Sequence, residues 1–168
     1  MGTGHAIQCC RDELLKYSDA NVAILSGDTP LLKNTTIRDI MHDFHKVKIV
    51  TTIMNNPHGY GRIIETDGVF NKIVEEKDSS LEEKLVKKVN CGVYAFESAV
   101  LCKYLPLLQN KNAQNEYYLT DIIELIKIGE KINIDLYDVP EDRQIEIMGV
   151  NTIEQLTALE EQLSATCK

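Results

Sequence analysis

The sequence lacks the segments that direct a chain into or across a membrane. No apolar run approaches the ~20 residues of a membrane-spanning helix, and the N-terminus lacks the charged-then-apolar pattern of a secretory signal. The 168 residues also contain no low-complexity tract, internal repeat or domain-sized linker. A chain of this length can build one domain with a substantial core, so we expect a single domain over residues 1–168 and no membrane partner.

Clustered positive charge is missing as well. The formal net charge is −8, and the 18 Lys and Arg residues form no basic stripe. Proteins that bind a nucleic-acid backbone need such a stripe, so we expect no nucleic-acid partner. An anionic substrate would need a metal ion or backbone amides to offset its charge.

The cysteines and histidines do not follow the spacing of a disulfide framework or a zinc site. The five cysteines are odd in number and none belongs to a C-x-x-C motif: Cys9, Cys10, Cys91, Cys102 and Cys167. This usage is typical of reduced thiols in a cytoplasmic protein. His42 and His45 lie three residues apart on a predicted helix, near Asp39 and Asp43. Metal ligation there is one interpretation, but a solvated helix face is favoured because no third ligand is implied.

A short apolar run at residues 22–25 is followed at once by Ser26, Gly27 and Asp28. Such a run, bounded by turn residues, predicts a strand buried on both faces, as in a parallel sheet. Asp28 then stands at the carboxyl end of that strand, where open α/β sheets bind their ligands, and Gly27 leaves room for a close approach. The alternative is that Asp28 stabilises its own loop. The run itself does not decide between them.

Strands and helices alternate along the rest of the chain, which indicates an α/β fold with a mixed sheet. A hairpin is predicted where two strand-like segments flank Asp67-Gly68, and Gly92 inside a strand indicates a bulge or a ligand's close approach. The charged run at residues 75–78 is favoured as solvated surface. Predicted strands lie at residues 22–25, 47–54, 62–65, 69–75, 88–96 and 132–139, and predicted helices at 6–17, 34–45, 79–87, 98–108, 118–128 and 153–163.

Seven short motifs stand in a fixed order. They are Gly-Thr-Gly-His-Ala at 2–6, Gly-Asp-Thr-Pro-Leu at 27–31, Gly-Tyr-Gly-Arg-Ile at 59–63, Val-Glu-Glu-Lys-Asp at 74–78, Asn-Cys-Gly-Val at 90–93, Asn-Ala-Gln-Asn-Glu-Tyr-Tyr-Leu-Thr-Asp at 112–121 and Gly-Val-Asn at 149–151. Together they resemble the sugar-1-phosphate nucleotidyltransferases, and within them the N-acetylglucosamine-1-phosphate uridylyltransferase domain of a bifunctional bacterial enzyme. The resemblance implies a Rossmann-like nucleotidyltransferase fold of the GT-A-like kind, with a mixed sheet and an inserted hairpin.

The resemblance also implies a reaction and its ligands. UMP would pass from UTP to N-acetylglucosamine 1-phosphate, giving UDP-N-acetylglucosamine and pyrophosphate, with Mg2+ held by Asp28 and Asn151. Lys77 would neutralise the sugar phosphate. The substrate-binding positions it implies are Gly2, Thr3, Ser26, Gly27, Gly61, Glu75, Asn90, Glu116, Tyr118 and Thr120. Glucose 1-phosphate or dTTP are the alternative substrates, and a non-catalytic module that binds sugar nucleotides is the alternative function.

Two departures from the family pattern set further expectations. Ser26 stands where members carry a tyrosine, which alters one wall of the pocket. The family's first βαβ portion, with its Gly-rich triphosphate loop, Arg and Lys, has no counterpart here, nor does an acetyltransferase β-helix domain. We therefore expect an N-terminally truncated domain that is inactive alone. Its strand at residues 22–25 would have an unpaired edge, and would pair with a polypeptide that supplies the missing part or with a second copy.

Overall fold

A six-stranded mixed sheet organises the structure. The computed structural model describes residues 1–166, so the predicted thiol of Cys167 lies outside the described residues. The strands are β1 (Asn21–Ile24), β2 (Val47–Ile53), β3 (Arg62–Thr66), β4 (Val69–Val74), β5 (Lys88–Glu97) and β6 (Asp135–Asp138). The helices are α1 (Thr3–Cys9), α2 (Arg11–Leu14), α3 (Asn34–Met41), α4 (Ser98–Tyr104), α5 (Asp121–Glu130) and α6 (Ile153–Thr166).

β5 is the central strand of this sheet. The sheet order is β4-β3-β5-β2-β6, and β1 pairs with the C-terminal half of β5 on the side opposite β2. All pairs are antiparallel except β2 with β6, which is parallel. The predicted α/β fold with a mixed sheet and an inserted β3–β4 hairpin is confirmed.

The prediction for β1 was wrong in two respects. The strand runs antiparallel to β5, with Ala23 opposite Ala95, and its side chains are only half-buried or exposed. An apolar run reports the hydrophobicity of a strand but not the direction or number of its neighbours, and those decide its burial. Within the described residues, no strand pairs with the other edge of β1.

A hairpin turn and a β-bulge form where the sequence predicted them. Asp67 and Gly68 both have positive φ angles, 53° and 75°, as a two-residue hairpin of this type requires. The bulge predicted at Gly92 is confirmed, because its φ is 70° and the register between β2 and β5 shifts between Ile49 and Thr51. Glycine tolerates this backbone conformation without the steric cost that a side chain brings.

Several helix boundaries differ from the predictions. The segment 6–17 is broken into α1, α2 and a 3-10 turn at Leu15–Tyr17. Helix α3 ends at Met41, so His42 and His45 lie beyond it. Only a 3-10 turn, Glu83–Leu85, forms within residues 79–87, and the 3-10 helix Glu141–Ile147 was not predicted.

Gly129 does not end α5, as the sequence suggested. The helix continues to Glu130, and Lys131 with a φ of 54° forms the left-handed cap. A side chain at position 129 would overlap the ring of Tyr104, so glycine is required there for packing between α4 and α5.

The core has two parts, one on each face of the sheet. The larger includes Phe96, Leu101, Ile122 and Ile126, and joins the sheet to α4 and α5. The smaller joins β2 and β5 to α3 and the 3-10 helix Glu141–Ile147, through Ile40, Val50, Cys91, Val93, Val139 and Ile147. Among the described residues, no helix has the length and apolar character needed to cross a membrane.

Candidate functional site

A cleft of about 240 Å³ opens where β1 ends and β5 bulges. Loops that follow β1 and precede β3, the residue after β4 and the segment 149–151 complete its walls. Six of the predicted site residues line it together: Ser26, Asp28, Gly61, Glu75, Asn90 and Asn151. Within this set, Asp28 and Asn151 are 123 positions apart in the sequence.

Asp28 is joined to the segment 149–151 by two hydrogen bonds. The Val150 N–H donates to the Asp28 carbonyl oxygen at 2.8 Å, and Asn151 Nδ2 donates to Asp28 Oδ2 at 3.2 Å. The turn after β1 is held instead by Thr29, whose hydroxyl donates to the Ser26 carbonyl oxygen at 2.9 Å. The carboxylate of Asp28 therefore contacts a distant segment rather than its own loop.

The chemistry of this pair fits a magnesium ion. Mg2+ prefers oxygen ligands and usually keeps several waters or substrate phosphate oxygens, so one carboxylate and one amide are an adequate protein contribution. A rotation of the Asn151 amide would turn its Oδ1 towards the Asp28 carboxylate. In the described part of the chain, no three or more His, Cys, Asp or Glu side chains cluster in a way that could hold a metal by themselves.

The charge of the cleft also favours a bound cation. Its described lining contains the carboxylates of Asp28 and Glu75 but no Lys or Arg side chain. A phosphorylated ligand would therefore meet like charge unless a cation lay between them. A divalent ion at Asp28 and Asn151 would supply that charge.

A buried ionic network supports the segment that carries Asn151. Glu146 is fully buried and accepts hydrogen bonds from Thr36 on α3 at 2.5 Å and from Arg143 Nε at 2.8 Å. Burial raises its pKa, but the bonds from Arg143, Thr36 and Lys33 dominate and lower it to about 2. The carboxylate thus stays ionised and holds the 3-10 helix Glu141–Ile147 against α3. Glu146 precedes Gly149 by only three residues, so this contact also positions the segment 149–151.

Glu75 lies on the opposite wall. The pKa of Glu75 is raised above its usual value, mainly by burial and also by the charge of Asp78. The hydrogen bond of 2.7 Å from Thr120 Oγ1 to Glu75 Oε1 acts in the opposite direction and lowers the pKa in part. A side chain at position 61 would come within 3.4 Å of Glu75 Oε2, so Gly61 leaves this carboxylate open to the cleft. The predicted solvated surface at residues 75–78 holds for Lys77 and Asp78, which are exposed, but not for Glu75 and Glu76, which are half-buried.

The loop before β3 carries residues that the sequence analysis missed. The hydroxyl of Tyr60 lines the cleft and accepts a hydrogen bond from the Gly149 N–H at 3.3 Å; burial is the main cause of its raised pKa. Buried Arg62 donates to the Tyr60 carbonyl oxygen and to Glu76 Oε2. The signals in the sequence that this loop approaches a ligand were the motif at residues 59–63 and the two glycines that flank Tyr60.

A second, more apolar groove of about 510 Å³ adjoins the cleft. The predicted residues Thr3, Gly27 and Thr120 line it, together with Ile7, Ile24, Leu25, Tyr94 and Leu119. It lies between α1 and β1, and shares Ser26, Asp28, Glu75, Asn90, Gly92 and Asn151 with the cleft.

Four predicted residues line neither cavity: Gly2, Lys77, Glu116 and Tyr118. Lys77 Nζ donates to Gln114 Oε1 at 2.5 Å, and Gln114 Nε2 donates to the Tyr118 hydroxyl at 2.8 Å. A side chain at Gly2 would overlap the backbone of Tyr117 and the side chain of Glu116. These residues therefore tie the motif at 112–121 to the N-terminus and to the loop after β4.

Comparison with known proteins identifies relatives that match nearly the whole chain. The bifunctional protein GlmU of Clostridium botulinum strain 657 is 45% identical over 167 residues, which are 95% of this chain and 35% of that protein. A protein of Acanthamoeba polyphaga mimivirus, named as a UDP-N-acetylglucosamine pyrophosphorylase, is 38% identical over 165 residues, 95% of this chain and 64% of that protein. The chain thus spans about a third of the length of the GlmU relatives. No protein-family model matches the chain.

The fold comparison agrees with the sequence comparison. A crystal structure from Bacillus anthracis, described as a glucose-1-phosphate thymidylyltransferase with sucrose, superposes with a TM-score of 0.61. The superposition covers 93% of this chain and 65% of the Bacillus anthracis chain. The sequence identity is 14%, so the similarity is evidence for the fold alone. The chain is thus similar in sequence to GlmU and to a protein named as a UDP-N-acetylglucosamine pyrophosphorylase, and its fold is that of a sugar-1-phosphate nucleotidyltransferase.

Proposed function

We propose that the chain forms the metal- and sugar-binding part of a site that transfers UMP from UTP to N-acetylglucosamine 1-phosphate. The products would be UDP-N-acetylglucosamine and pyrophosphate, in keeping with the name of the mimivirus relative. One observation carries the proposal: Asp28 and Asn151 share a single cleft with Gly61, Glu75 and Asn90. A metal-binding pair thus faces groups suited to sugar hydroxyl and acetamido contacts.

The proposed reaction asks the protein for positioning and charge neutralisation. A phosphate oxygen of the sugar phosphate attacks the α-phosphorus of UTP, and the bond from that phosphorus to the bridging oxygen breaks. Pyrophosphate leaves with the electron pair. Mg2+ held by Asp28 and Asn151 would offset the negative charge of the phosphate oxygens, which is the main contribution a metal makes to such transfers.

We assign the remaining predicted residues to the sugar, the sugar phosphate and the base. Glu75, Asn90 and the backbone N–H of Gly61 would hydrogen-bond the sugar, with Thr120 orienting Glu75. Buried polar groups of this kind reject analogues that leave them unpaired. Lys77 would exchange its bond to Gln114 for the sugar phosphate. Thr3 and Gly2 would contact the base, while Ser26, Gly27, Glu116 and Tyr118 would shape the pocket.

A second candidate is binding of the sugar nucleotide without turnover. The described lining of the cleft offers no Lys or Arg for a triphosphate, which favours this candidate for the chain alone. We propose that a further polypeptide segment, or a second copy of the chain, pairs with the free edge of β1. Such a segment could bring the missing cations to the cleft and complete the catalytic site.

Two assays on the full chain distinguish these candidates. Calorimetric titration with UDP-N-acetylglucosamine, with and without Mg2+, tests the site, and pyrophosphate release from UTP, Mg2+ and N-acetylglucosamine 1-phosphate tests turnover. We expect Mg2+-dependent binding and little or no turnover. Absence of binding would overturn the proposed function, and robust turnover would exclude the purely binding module.

Asp28→Asn provides the residue-level test, with Asp67→Asn in the exposed hairpin turn as the matched control. We expect Asp28→Asn to weaken Mg2+-dependent binding about tenfold or more, the equivalent of a charged contact worth about 1.5 kcal/mol. Asp67→Asn should bind as the wild type does. Equal affinities of the two variants would contradict the metal assignment.

A further inference from the structure

The side chain of Asn90 is held from two directions. Its Nδ2 donates a hydrogen bond of 2.7 Å to the hydroxyl of Tyr94, and its Oδ1 accepts one of 3.3 Å from the Gly92 N–H. Both Asn90 and Tyr94 are buried. The amide is therefore a fixed part of the cleft floor rather than a mobile surface group.

The Gly92 contact identifies which atom of the amide is the oxygen. A backbone N–H can only donate, so the atom that faces Gly92 must be the amide oxygen, and Nδ2 must face Tyr94. A side-chain amide has two N–H donors and two acceptor sites. One of each is used by Tyr94 and Gly92, which leaves one donor and one acceptor for a ligand.

The bulge at Gly92 makes this arrangement possible. Residues four apart on a regular strand lie about 13 Å from each other, too far for their side chains to bond. The left-handed conformation of Gly92 and the shifted register bring Asn90 and Tyr94 within hydrogen-bond distance. Burial, and less strongly the charge of Glu75, raise the pKa of Tyr94, so its hydroxyl stays protonated at neutral pH.

We propose that Tyr94 is a positioning residue that fixes the orientation of the Asn90 amide. Held in this way, Asn90 keeps one N–H donor and one acceptor site of its carbonyl oxygen for a ligand in the cleft. An acetamido group offers the matching carbonyl oxygen and N–H, whereas a hydroxyl at the same sugar carbon matches them less completely. Tyr94 thereby contributes to selection of the acetamido sugar; this consequence rests on the proposed function, while the positioning of Asn90 does not.

Tyr94→Phe tests the proposal, with Tyr104→Phe as a control. The two tyrosines are equally buried, 4% and 5% exposed, and the Tyr104 hydroxyl bonds to Glu130 away from the cleft. The first readout is the NMR signals of the Asn90 side-chain amide without ligand, identified by their loss in Asn90→Asp. We expect Tyr94→Phe to move both amide proton signals and Tyr104→Phe to leave them in place.

The second readout is the affinity for N-acetylglucosamine 1-phosphate relative to glucose 1-phosphate. We expect Tyr94→Phe to lower this ratio about three- to tenfold, the range of one hydrogen bond, and Tyr104→Phe to preserve it. Unmoved amide signals would overturn the positioning role, and moved signals with an unchanged ratio would overturn the role in selection. If the wild type binds neither sugar phosphate, the proposed function and the role in selection fail together, and the amide signals alone decide the positioning role.

Discussion

The hydroxyl of Ser26 donates a hydrogen bond of 3.0 Å to the carbonyl oxygen of Gly92, and so joins the end of β1 to the bulge of β5. A Cβ atom at position 92 would overlap this hydroxyl, yet would lie 3.4 Å from the Ser26 Cβ, an ordinary contact. Two separate restraints therefore act on Gly92. One is its left-handed backbone, and the other is the hydroxyl opposite it.

These restraints predict that Gly92→Ala destabilises the fold strongly and that Ser26→Ala relieves part of the cost. Alone, Gly92→Ala should lower the free energy of unfolding by about 2–4 kcal/mol, through backbone strain and overpacking. In a Ser26→Ala background the same change should cost about 1–2 kcal/mol, because only the backbone strain remains. Urea denaturation of both single variants and the double variant measures the difference. Costs that add within about 0.5 kcal/mol would contradict the proposed overlap.

Arg62 is a charged residue that we expect to contribute strongly to the stability of the fold. Its guanidinium is buried, and its bond to Glu76 Oε2 is 2.6 Å long. Removing one partner of a fully buried pair typically costs about 3–5 kcal/mol. Glu76 is only half-buried, so Arg62→Ala should lower the free energy of unfolding by less, about 2–3 kcal/mol. Lys16→Ala, which breaks the exposed pair with Glu13, should cost less than about 1 kcal/mol. Denaturant melts compare the two, and a loss below about 1 kcal/mol for Arg62→Ala would contradict the argument.

Asp121 predicts a pH-dependent stability. Burial, with added repulsion from Glu75, Asp78 and Glu124, raises the pKa of this carboxyl from 3.8 to about 6. Because the folded-state pKa exceeds the unfolded one, the folded state is favoured at low pH and loses this advantage as the pH rises through about 6. Asp121→Asn removes the penalty of the ionised form.

Thermal melts between pH 4 and pH 8 measure this effect. At pH 8 we expect Asp121→Asn to be relatively more stable than the wild type by about 1 kcal/mol, a value discounted for solvent screening at a partly exposed group. The difference should shrink as the pH falls from 6 to 4, and the acidic end of the series is the internal control. A difference that is constant with pH would show that Asp121 ionises normally.

The free edge of β1 predicts self-association of the chain. Unpaired strand edges with apolar neighbours recruit other strands, and a lysine on such an edge discourages pairing. Leu25 follows β1 and Leu156 lies on α6, and each side chain is 44% exposed. In sedimentation velocity experiments, Leu25→Lys should shift the chain towards monomer, whereas Leu156→Lys should not. A wild-type chain that sediments as a monomer, or equal effects of the two variants, would refute self-association through β1.

Local signals in the sequence predicted much of the sheet. Asp67-Gly68 predicted the hairpin turn, and Gly92 predicted the bulge in its strand. These residue types are common in such backbone conformations and uncommon in the middle of regular strands. The direction of β1 was not predictable from residues 21–24, because it depends on a partner more than 70 positions away. Arg62 and Glu146 resembled ordinary surface charges, since the ionic partners that permit their burial become evident only in the folded chain.

Most of the site was predictable only through the family motifs. Asp28 and Asn151 are 123 positions apart, and no periodicity connects them. The hydrogen bond between Tyr94 and Asn90 was not predictable for a different reason. On a regular strand, residues four positions apart are too far from each other for their side chains to bond, and only the bulge brings these two together. Lys77, Gly2, Glu116 and Tyr118 match the motifs, but each is held by neighbouring protein groups outside the cleft, and their roles remain predictions.

The central place of β5 has a consequence for the order in which the chain can fold. β1, β2 and β3 all hydrogen-bond to it, so these strands lack their shared partner until residues 88–97 have left the ribosome. Such non-local pairing slows folding relative to local hairpins. During synthesis, the apolar segments at residues 21–24 and 47–53 would therefore remain unpaired and would depend on chaperones or on rapid elongation to avoid aggregation.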